Sequence, residues 1–176
     1  IAETQLSDIV GNTLVLLVGV GLGTTVVGTG TAWLVTMCRF PGSRTMQWAL
    51  LLPLVLPTYI IGYAYADLMA FAGPLQAALR TATGWGHGDY WFPDLGSASG
   101  VALLFTLVLY PYVYLAARAA FLRQSQPLLE ASRILGHGPW RTFLRVALPL
   151  ARPAIAAGVT LARLAALADF GTVQYY

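Results

Sequence analysis

Apolar residues along this chain come in four long blocks separated by shorter polar segments. The blocks cover about residues 9–38, 46–71, 101–120 and 151–176. Roughly 20 consecutive apolar residues are enough for an α-helix to cross the hydrocarbon core of a bilayer. The pattern therefore predicts an all-α, polytopic transmembrane helical bundle with about four spans, formed by a single domain over residues 1–176.

The first two blocks differ in the residues that interrupt them. The first is rich in glycine and threonine, and small residues let membrane helices approach one another closely. The second contains Pro53 and Pro57. Proline removes a backbone donor and kinks a helix, which membrane helices tolerate where neighbouring groups satisfy the freed carbonyls. We expect the first helix to pack against other helices and the second to be kinked.

Composition supports the membrane prediction. Only 10% of the residues are charged and 57% are hydrophobic, whereas a soluble domain has about 25% charged residues. A basic pI can indicate nucleic-acid binding. Here all ten basic residues are arginines that form no single dense patch and, apart from Arg163, lie between the apolar blocks or near their ends, so no nucleic-acid partner is expected. One cysteine and two histidines give no zinc or iron–sulfur pattern and allow no intramolecular disulfide.

The arginines also predict which segments face the cytoplasm. Two lie in the segment 39–44 and six between residues 118 and 152, whereas the segment 72–100 has one. Because positive charge accumulates in cytoplasmic loops, residues 39–44 and 121–149 are expected on that side. The amino terminus then lies outside, which indicates a further span upstream.

The polar segment 121–149 has the pattern of two short amphipathic helices joined by a turn. Gly136 and Gly138 end the first helix, and Pro139 suits the first position of the second. One side of the second helix is apolar, with Trp140, Phe143 and Leu144. An apolar face on a surface helix is typical of a segment that binds a partner.

The spacing of this segment resembles the cytoplasmic signature of bacterial importer-type ABC permeases. That signature is Glu-Ala-Ala, three residues, Gly, nine residues, Ile, one residue and Leu-Pro. The spacing here fits throughout, with serine in place of the second alanine and valine in place of isoleucine. The matching positions are Glu130, Ala131, Ser132, Gly136, Val146, Leu148 and Pro149.

Three further stretches resemble the ferric-iron importer permeases, which are long chains with two fused six-span halves. The stretches cover residues 53–68, 107–121 and 167–173, and they point to the first half. In that case one span upstream and one downstream are absent here. Ala165 stands where that family pattern has glutamate, and Arg163 is unexpected within a span.

The resemblance implies a type I ABC importer permease in the bacterial inner membrane, with ferric iron favoured over thiamine, polyamines or oxyanions as cargo. An extracytoplasmic binding protein would deliver the substrate, and a second permease half would complete the pathway within the lipid. A cytoplasmic ATPase dimer would bind ATP and Mg²⁺, so the permease would be no enzyme and would hold no cofactor or metal. The sequence contains no GxxxxGK[ST] phosphate-binding motif. In the cytoplasmic loop, Glu130 would supply the charged contact with the ATPase and Gly136 the turn.

Four residues in or near the spans are candidates for the substrate pathway. They are Tyr63, Asp67, Arg163 and Asp169. Ionisable residues within a membrane mark functional sites by default, but each candidate also has a structural interpretation. Tyr63 suits packing, Asp67 suits the outer interface, and Arg163 suits an ion pair with Asp67 or Asp169.

Two other functions are compatible with part of the pattern. A secondary transporter or channel driven by an ion gradient would use broken helices and intramembrane acids, but it would not require the signature between Glu130 and Pro149. A membrane-embedded enzyme would require paired carboxylates, a metal cluster or a nucleophile–base pair. No such set has suitable spacing in this sequence.

Overall fold

A computed structural model describes the chain except for residues 1, 39, 56–57, 87–88, 90–97 and 169–176. The described residues form helices and turns and contain no β-strand, as the predicted all-α fold class requires. The α-helices are α1 (Ala2–Met37), α2 (Ser43–Ala49), α3 (Thr58–Met69), α4 (Pro74–Thr83), α5 (Ala98–Arg123), α6 (Gln126–Ile134), α7 (Pro139–Thr142) and α8 (Leu148–Ala168). A 3₁₀ turn (Leu52–Leu54) follows α2, and a π-helical turn (Phe143–Ala147) joins α7 to α8.

Three helical stretches of the described chain are long and apolar enough to cross a membrane. They are Val10–Met37, Ser99–Arg123 and Pro139–Ala168, and they fall in or next to the first, third and fourth apolar blocks. The last stretch extends toward the amino terminus beyond the block expected at 151–176, because the helical turns before Leu148 continue into α8 without a break. Residues 169–176 of that block lie outside the described residues.

The second apolar block does not form the continuous kinked helix expected over residues 46–71. It is divided among α2, the 3₁₀ turn and α3. The N–H of Leu51 donates to the carbonyl of Trp48, and the N–H of Leu54 donates to that of Leu51. These short-range bonds replace α-helical ones next to Pro53, which has no N–H to donate. That this broken segment crosses the membrane stays a prediction.

Side chains from α5 satisfy the carbonyls that this break exposes. In an unbroken helix, the carbonyls of Gln47 and Leu50 would accept from the N–H groups of the residues four positions later, and those donors are used elsewhere. The Tyr110 hydroxyl donates to the Leu50 carbonyl at 3.0 Å, and the Tyr114 hydroxyl donates to the Gln47 carbonyl at 3.3 Å. One turn further on, Arg118 Nη2 donates to Gln47 Oε1 at 2.9 Å. One face of α5 therefore holds α2 in place.

Helix α5 lies between α1 and α8, and both helices approach it closely at Val113. A Cβ added to Gly28 of α1 would lie 2.8 Å from Val113 Cβ and 2.9 Å from the Tyr110 carbonyl oxygen. A Cβ added to Gly158 of α8 would lie 2.9 Å from Val113 Cα. Only glycine allows backbones to come this close. Val113 is fully buried, so the centre of the bundle lies along α5.

The turn between α3 and α4 is closed by side chains of α4. Gln76 Nε2 donates to the Met69 carbonyl, and Arg80 Nη1 donates to the Phe71 carbonyl, both at 2.8 Å. The Arg80 guanidinium also lies over the Phe71 ring, 4.2 Å from its centroid. These donors satisfy carbonyls at the end of α3, which lack helical partners.

Candidate functional site

The segment from α6 to α7 folds as two helical arms joined by a tight turn. Helix α6 ends in a Schellman motif, in which the His137 N–H donates to the Ser132 carbonyl at 3.2 Å. The residue between them in left-handed conformation is Gly136, with φ of 79°. Gly138 is extended and precedes Pro139 at the first position of α7. The helix–turn–helix expected here is present, and local residue chemistry accounts for it.

Polar side chains bridge the two arms beneath this turn. Ser132 Oγ lies 3.2 Å from His137 Nδ1 and 3.1 Å from Thr142 Oγ1. Ser132 is 4% exposed and Thr142 2% exposed, whereas His137 is half-buried. Because buried hydroxyls are costly without hydrogen bonds, these three side chains stabilise one another. No sequence motif points to Thr142, because its contact depends on α6 and α7 meeting.

The outer surface of the arms is rich in exposed apolar side chains. Ile134 is 85% exposed, and the other members are Leu128, Leu135, Trp140 and Leu144; we call these five residues the loop apolar face. Glu130 and Ala131 are also exposed on α6, and Gly136 is exposed at the turn. Exposed apolar residues on a short surface helix are typical of a segment that binds a partner. The carboxylate of Glu130 and the loop apolar face are thus exposed on the same two arms.

The inner surface of the arms is joined to the long helices by aromatic rings. The Phe143 ring lies 4.7 Å from the Trp33 ring of α1 and 6.4 Å from the Phe121 ring of α5, centroid to centroid. Trp140 lies 6.0 Å from Phe143 on the other side. Leu129 of α6 is buried in the same hydrophobic cluster. The arms are therefore attached to α1 and α5 through a packed core.

The signature residues at the end of the segment lie where α7 passes into α8. The Leu148 N–H donates to the Phe143 carbonyl, five residues back, and Pro149 follows with no N–H of its own. Val146, Leu148 and Pro149 are partly buried. Gln124, just after α5, donates from Nε2 to the Ala147 carbonyl at 2.8 Å. Such π turns are frequent at functional sites. The role of Gln124 has no sequence signal, because it depends on two segments meeting.

The pathway candidates are dispersed. Tyr63 and Asp67 are exposed on α3, one helical turn apart, and Asp169 lies outside the described residues. Arg163 Nε donates to the Leu17 carbonyl of α1 at 3.2 Å. Among the residues with described positions, no ion pair joins Arg163 to Asp67. The alternative ion pair with Asp169 falls on a residue outside the described part of the chain and stays a prediction.

A cavity of about 280 Å³ adjoins the broken segment near Asp67. Its lining is apolar except for one tyrosine hydroxyl, so it offers few groups to hold an ion. The lining residues are Leu52, Pro53, Ile60, Ile61, Ala64, Tyr65 and Leu68. In the part of the chain with described coordinates, no group of three His, Cys, Asp or Glu side chains is arranged to bind a metal.

Comparison with known proteins assigns this architecture to a family. The model of the family described as "Binding-protein-dependent transport system inner membrane component" matches residues 13–176. The molybdenum transport system permease protein ModB of Escherichia coli K12 is 34% identical over 140 residues, covering 80% of this chain and 58% of ModB. A probable sulfate transport system permease protein, cysT of Chlorokybus atmophyticus, is 34% identical over 81% of this chain and 47% of its own length.

An iron-transport relative aligns over more of the chain. The Fe(3+)-transport system permease protein FbpB 2 of Haemophilus influenzae is 29% identical over 97% of this chain and 29% of its own length. The chain thus spans less than two thirds of each of these relatives, all of which are named as transport permeases. The resemblance to importer permeases, read from the spacing between Glu130 and Pro149, is confirmed at the level of the family. This chain belongs to the family of binding-protein-dependent transport system inner membrane components.

Proposed function

We propose that this chain contributes the membrane pathway of an ATP-driven importer and is coupled to a cytoplasmic ATPase dimer through residues 130–149. An extracytoplasmic binding protein delivers the substrate, a second permease half completes the pathway, and ATP and Mg²⁺ bind to the ATPase. One observation carries this proposal: exposed Glu130 and the loop apolar face lie on arms whose inner side packs on α1 and α5. A surface for a partner and a connection to the spans occur in one segment.

The arrangement suits transmission of force. Rigid secondary elements and packed side chains carry coupling between distant sites when they have discrete arrangements. The arms are short, the turn between them is fixed by Gly136, and Phe143 is buried among rings from α1 and α5. Movement of an ATPase bound to the outer surface would therefore shift the spans rather than bend the loop.

The turn provides a sharp test because the chain contains a matched control. Gly136 and Gly84 both have positive φ, of 79° and 74°, and an added Cβ would have open space at both. Alanine therefore introduces the same backbone strain at each. In the assembled transporter in proteoliposomes, Gly136→Ala should reduce ATP-dependent uptake by about fivefold or more, because a strain of about 1 kcal/mol or more shifts a population by at least that factor. Gly84→Ala should leave uptake unchanged.

Charge reversal at Glu130 tests the contact itself. Glu130→Arg should weaken co-purification with the ATPase, and Glu130→Gln should have a smaller effect because it removes charge without reversing it. Arg44→Glu at an exposed site in α2 serves as a charge-reversal control. Uptake driven by an ion gradient without ATP, unaffected by these changes, would support a secondary transporter or channel in place of the importer.

The substrate is proposed to be a small inorganic ion. The resemblance of the spans and the relative FbpB 2, aligned over 97% of this chain, support ferric iron. The relatives ModB and cysT, named for molybdenum and sulfate, support an oxyanion. Arg163 adds weight to the oxyanion, because a guanidinium on the pathway would repel a trivalent cation.

Two substitutions distinguish these substrates. If ferric iron passes along α3, Asp67→Asn should lower the uptake of iron and Arg163→Gln should not. If an oxyanion is carried, Arg163→Gln should lower the uptake of molybdate or sulfate and Asp67→Asn should not. The measurement is uptake of each labelled ion by the transporter with its own binding protein, and an ion that the unmodified transporter does not take up is excluded.

A further inference from the structure

The polar bridge between Ser132, His137 and Thr142 lies where α6 and α7 meet beneath the turn. The two hydroxyls are almost completely buried and lie 3.1 Å apart. The imidazole Nδ1 is 3.2 Å from the same Ser132 oxygen. Ser132 is also held through its main chain, because its carbonyl accepts from the His137 N–H. Side chain and backbone of a single residue thus fix the turn and the second arm together.

The bridge lies directly between the outer surface and the spans. Glu130 is two residues before Ser132 on α6, and Phe143 is the residue after Thr142. Phe143 in turn packs against Trp33 and Phe121. A displacement applied at Glu130 therefore has a route to the aromatic cluster through the Ser132–Thr142 hydrogen bond, beside the route through its neighbour Leu129, which is buried in that cluster.

A hydrogen-bonded bridge fixes the angle between the two arms, which an apolar contact at this position would not do. Hydrogen bonds weaken steeply as their angle departs from linear, so two hydroxyls and an imidazole define one angle between the arms. Apolar surfaces are non-directional and can slide against one another. Partly buried polar networks of this kind specify a unique local geometry.

We propose that Ser132, His137 and Thr142 are positioning residues that lock the angle between α6 and α7. Closure of the ATPase then moves the spans, because none of its displacement is absorbed by a change in that angle. This inference rests on the proposed function and deepens it. None of the three side chains needs to touch the ATPase, the nucleotide or the substrate. Their effect is on how many ions are imported per ATP hydrolysed.

Thr142 offers an isosteric test. Thr142→Val keeps the shape of the side chain and removes the hydroxyl, whereas Thr142→Ser keeps the hydroxyl and removes a methyl group. Thr160→Val is the matched control, because Thr160 is exposed on α8 and its hydroxyl donates within its own helix, to the Ala156 carbonyl. Each variant is placed in the complete transporter with its ATPase and binding protein. The measurements are ATP hydrolysis, ion uptake, and the amount of ATPase that co-purifies.

Thr142→Val is expected to lower the number of ions imported per ATP by about fivefold, the population change that corresponds to one net hydrogen bond. ATPase assembly should remain, Thr142→Ser should restore most of the ratio, and Thr160→Val should leave it unchanged. His137→Ala, which removes a half-buried side chain, should lower the ratio as well, and His137→Asn should recover part of it by placing an amide near the Nδ1 position.

The measurements distinguish failure of the positioning role from failure of the proposed importer function. Less assembled transporter with an unchanged ratio in both Thr142→Val and His137→Ala would show a purely structural role and overturn the proposal. An unchanged ratio with full assembly would overturn it too. If the unmodified transporter shows no ATP-dependent uptake of any ion, the proposed function fails instead, before any variant is compared.

Discussion

The guanidinium group of Arg163 on α8 occupies the space that a side chain at Gly21 on α1 would need. A Cβ added to Gly21 would lie 2.6 Å from Arg163 Cζ, and Nε of the same guanidinium donates to the Leu17 carbonyl. A cation within a span is expensive unless a polar group accompanies it. Here a backbone carbonyl of α1 fills that role, and the missing side chain of Gly21 makes the approach possible.

Gly21→Ala should therefore displace Arg163 and weaken the contact between α1 and α8. The arginine side chain is flexible, so the expected loss is that of its hydrogen bond, about 1–2 kcal/mol. Thermal unfolding of the purified transporter in detergent measures it. Gly11→Ala and Gly30→Ala, where an added Cβ meets nothing within 4 Å, are the controls on the same helix. In an Arg163→Ala background the effect of Gly21→Ala should vanish; a penalty that persists there would show that Arg163 is not its cause.

Gly28→Ala should be more severe, because the obstacle is backbone rather than a flexible side chain. The added Cβ would lie 2.9 Å from both the Tyr110 carbonyl oxygen and the Tyr114 nitrogen of α5. Separating two packed helices opens a void as well as removing contacts, so a loss of about 2–4 kcal/mol is expected. Reduced yield of folded protein and a lower unfolding temperature are the measurements. Wild-type stability in Gly28→Ala, with Gly30→Ala again as control, would contradict the close approach at Val113.

Tyr110→Phe should loosen the broken segment. Without the hydroxyl, the Leu50 carbonyl loses its donor, and an unsatisfied buried carbonyl costs about 1–3 kcal/mol. We expect faster amide hydrogen exchange at Leu51 and Leu54, whose short-range bonds depend on this geometry. Tyr112→Phe is the matched control on the same helix, since among the described residues no hydroxyl bond joins Tyr112 to this segment. Equal exchange rates in the two variants would argue against a role of Tyr110 in holding α2.

Trp33→Ala should impair coupling although Trp33 lies far from the signature in sequence. Its partly buried ring packs against both Phe121 and Phe143, and the cost of about 3–5 kcal/mol for truncating a fully buried aromatic residue is an upper bound for it. We expect less uptake per ATP in the assembled transporter, because the arms lose their attachment to α1. Trp48→Ala, at an exposed tryptophan of α2, controls for loss of an indole. Normal coupling in Trp33→Ala would mean that the arms act on the spans by another route.

The sequence by itself determined the features that depend on local chemistry. Block length and apolarity predicted the long helices, because a helix satisfies its own backbone in a membrane. Gly136 and Pro139 predicted the turn and the second arm, because left-handed φ favours glycine and a first helical turn favours proline. The spacing from Glu130 to Pro149 led to the family for the same reason: it lies within one continuous segment.

Only the tertiary structure decided which distant groups meet. The break within residues 46–71 is held by Tyr110 and Tyr114, some 60 positions later, and the arms are held by Trp33. Arg163 donates to the Leu17 carbonyl of α1, 146 positions earlier in the chain. Periodicity and turn chemistry act over a few residues, whereas these contacts depend on how three helices pack around Val113. That packing is set by shape and by hydrogen-bond geometry across the whole bundle, which no single stretch of sequence contains.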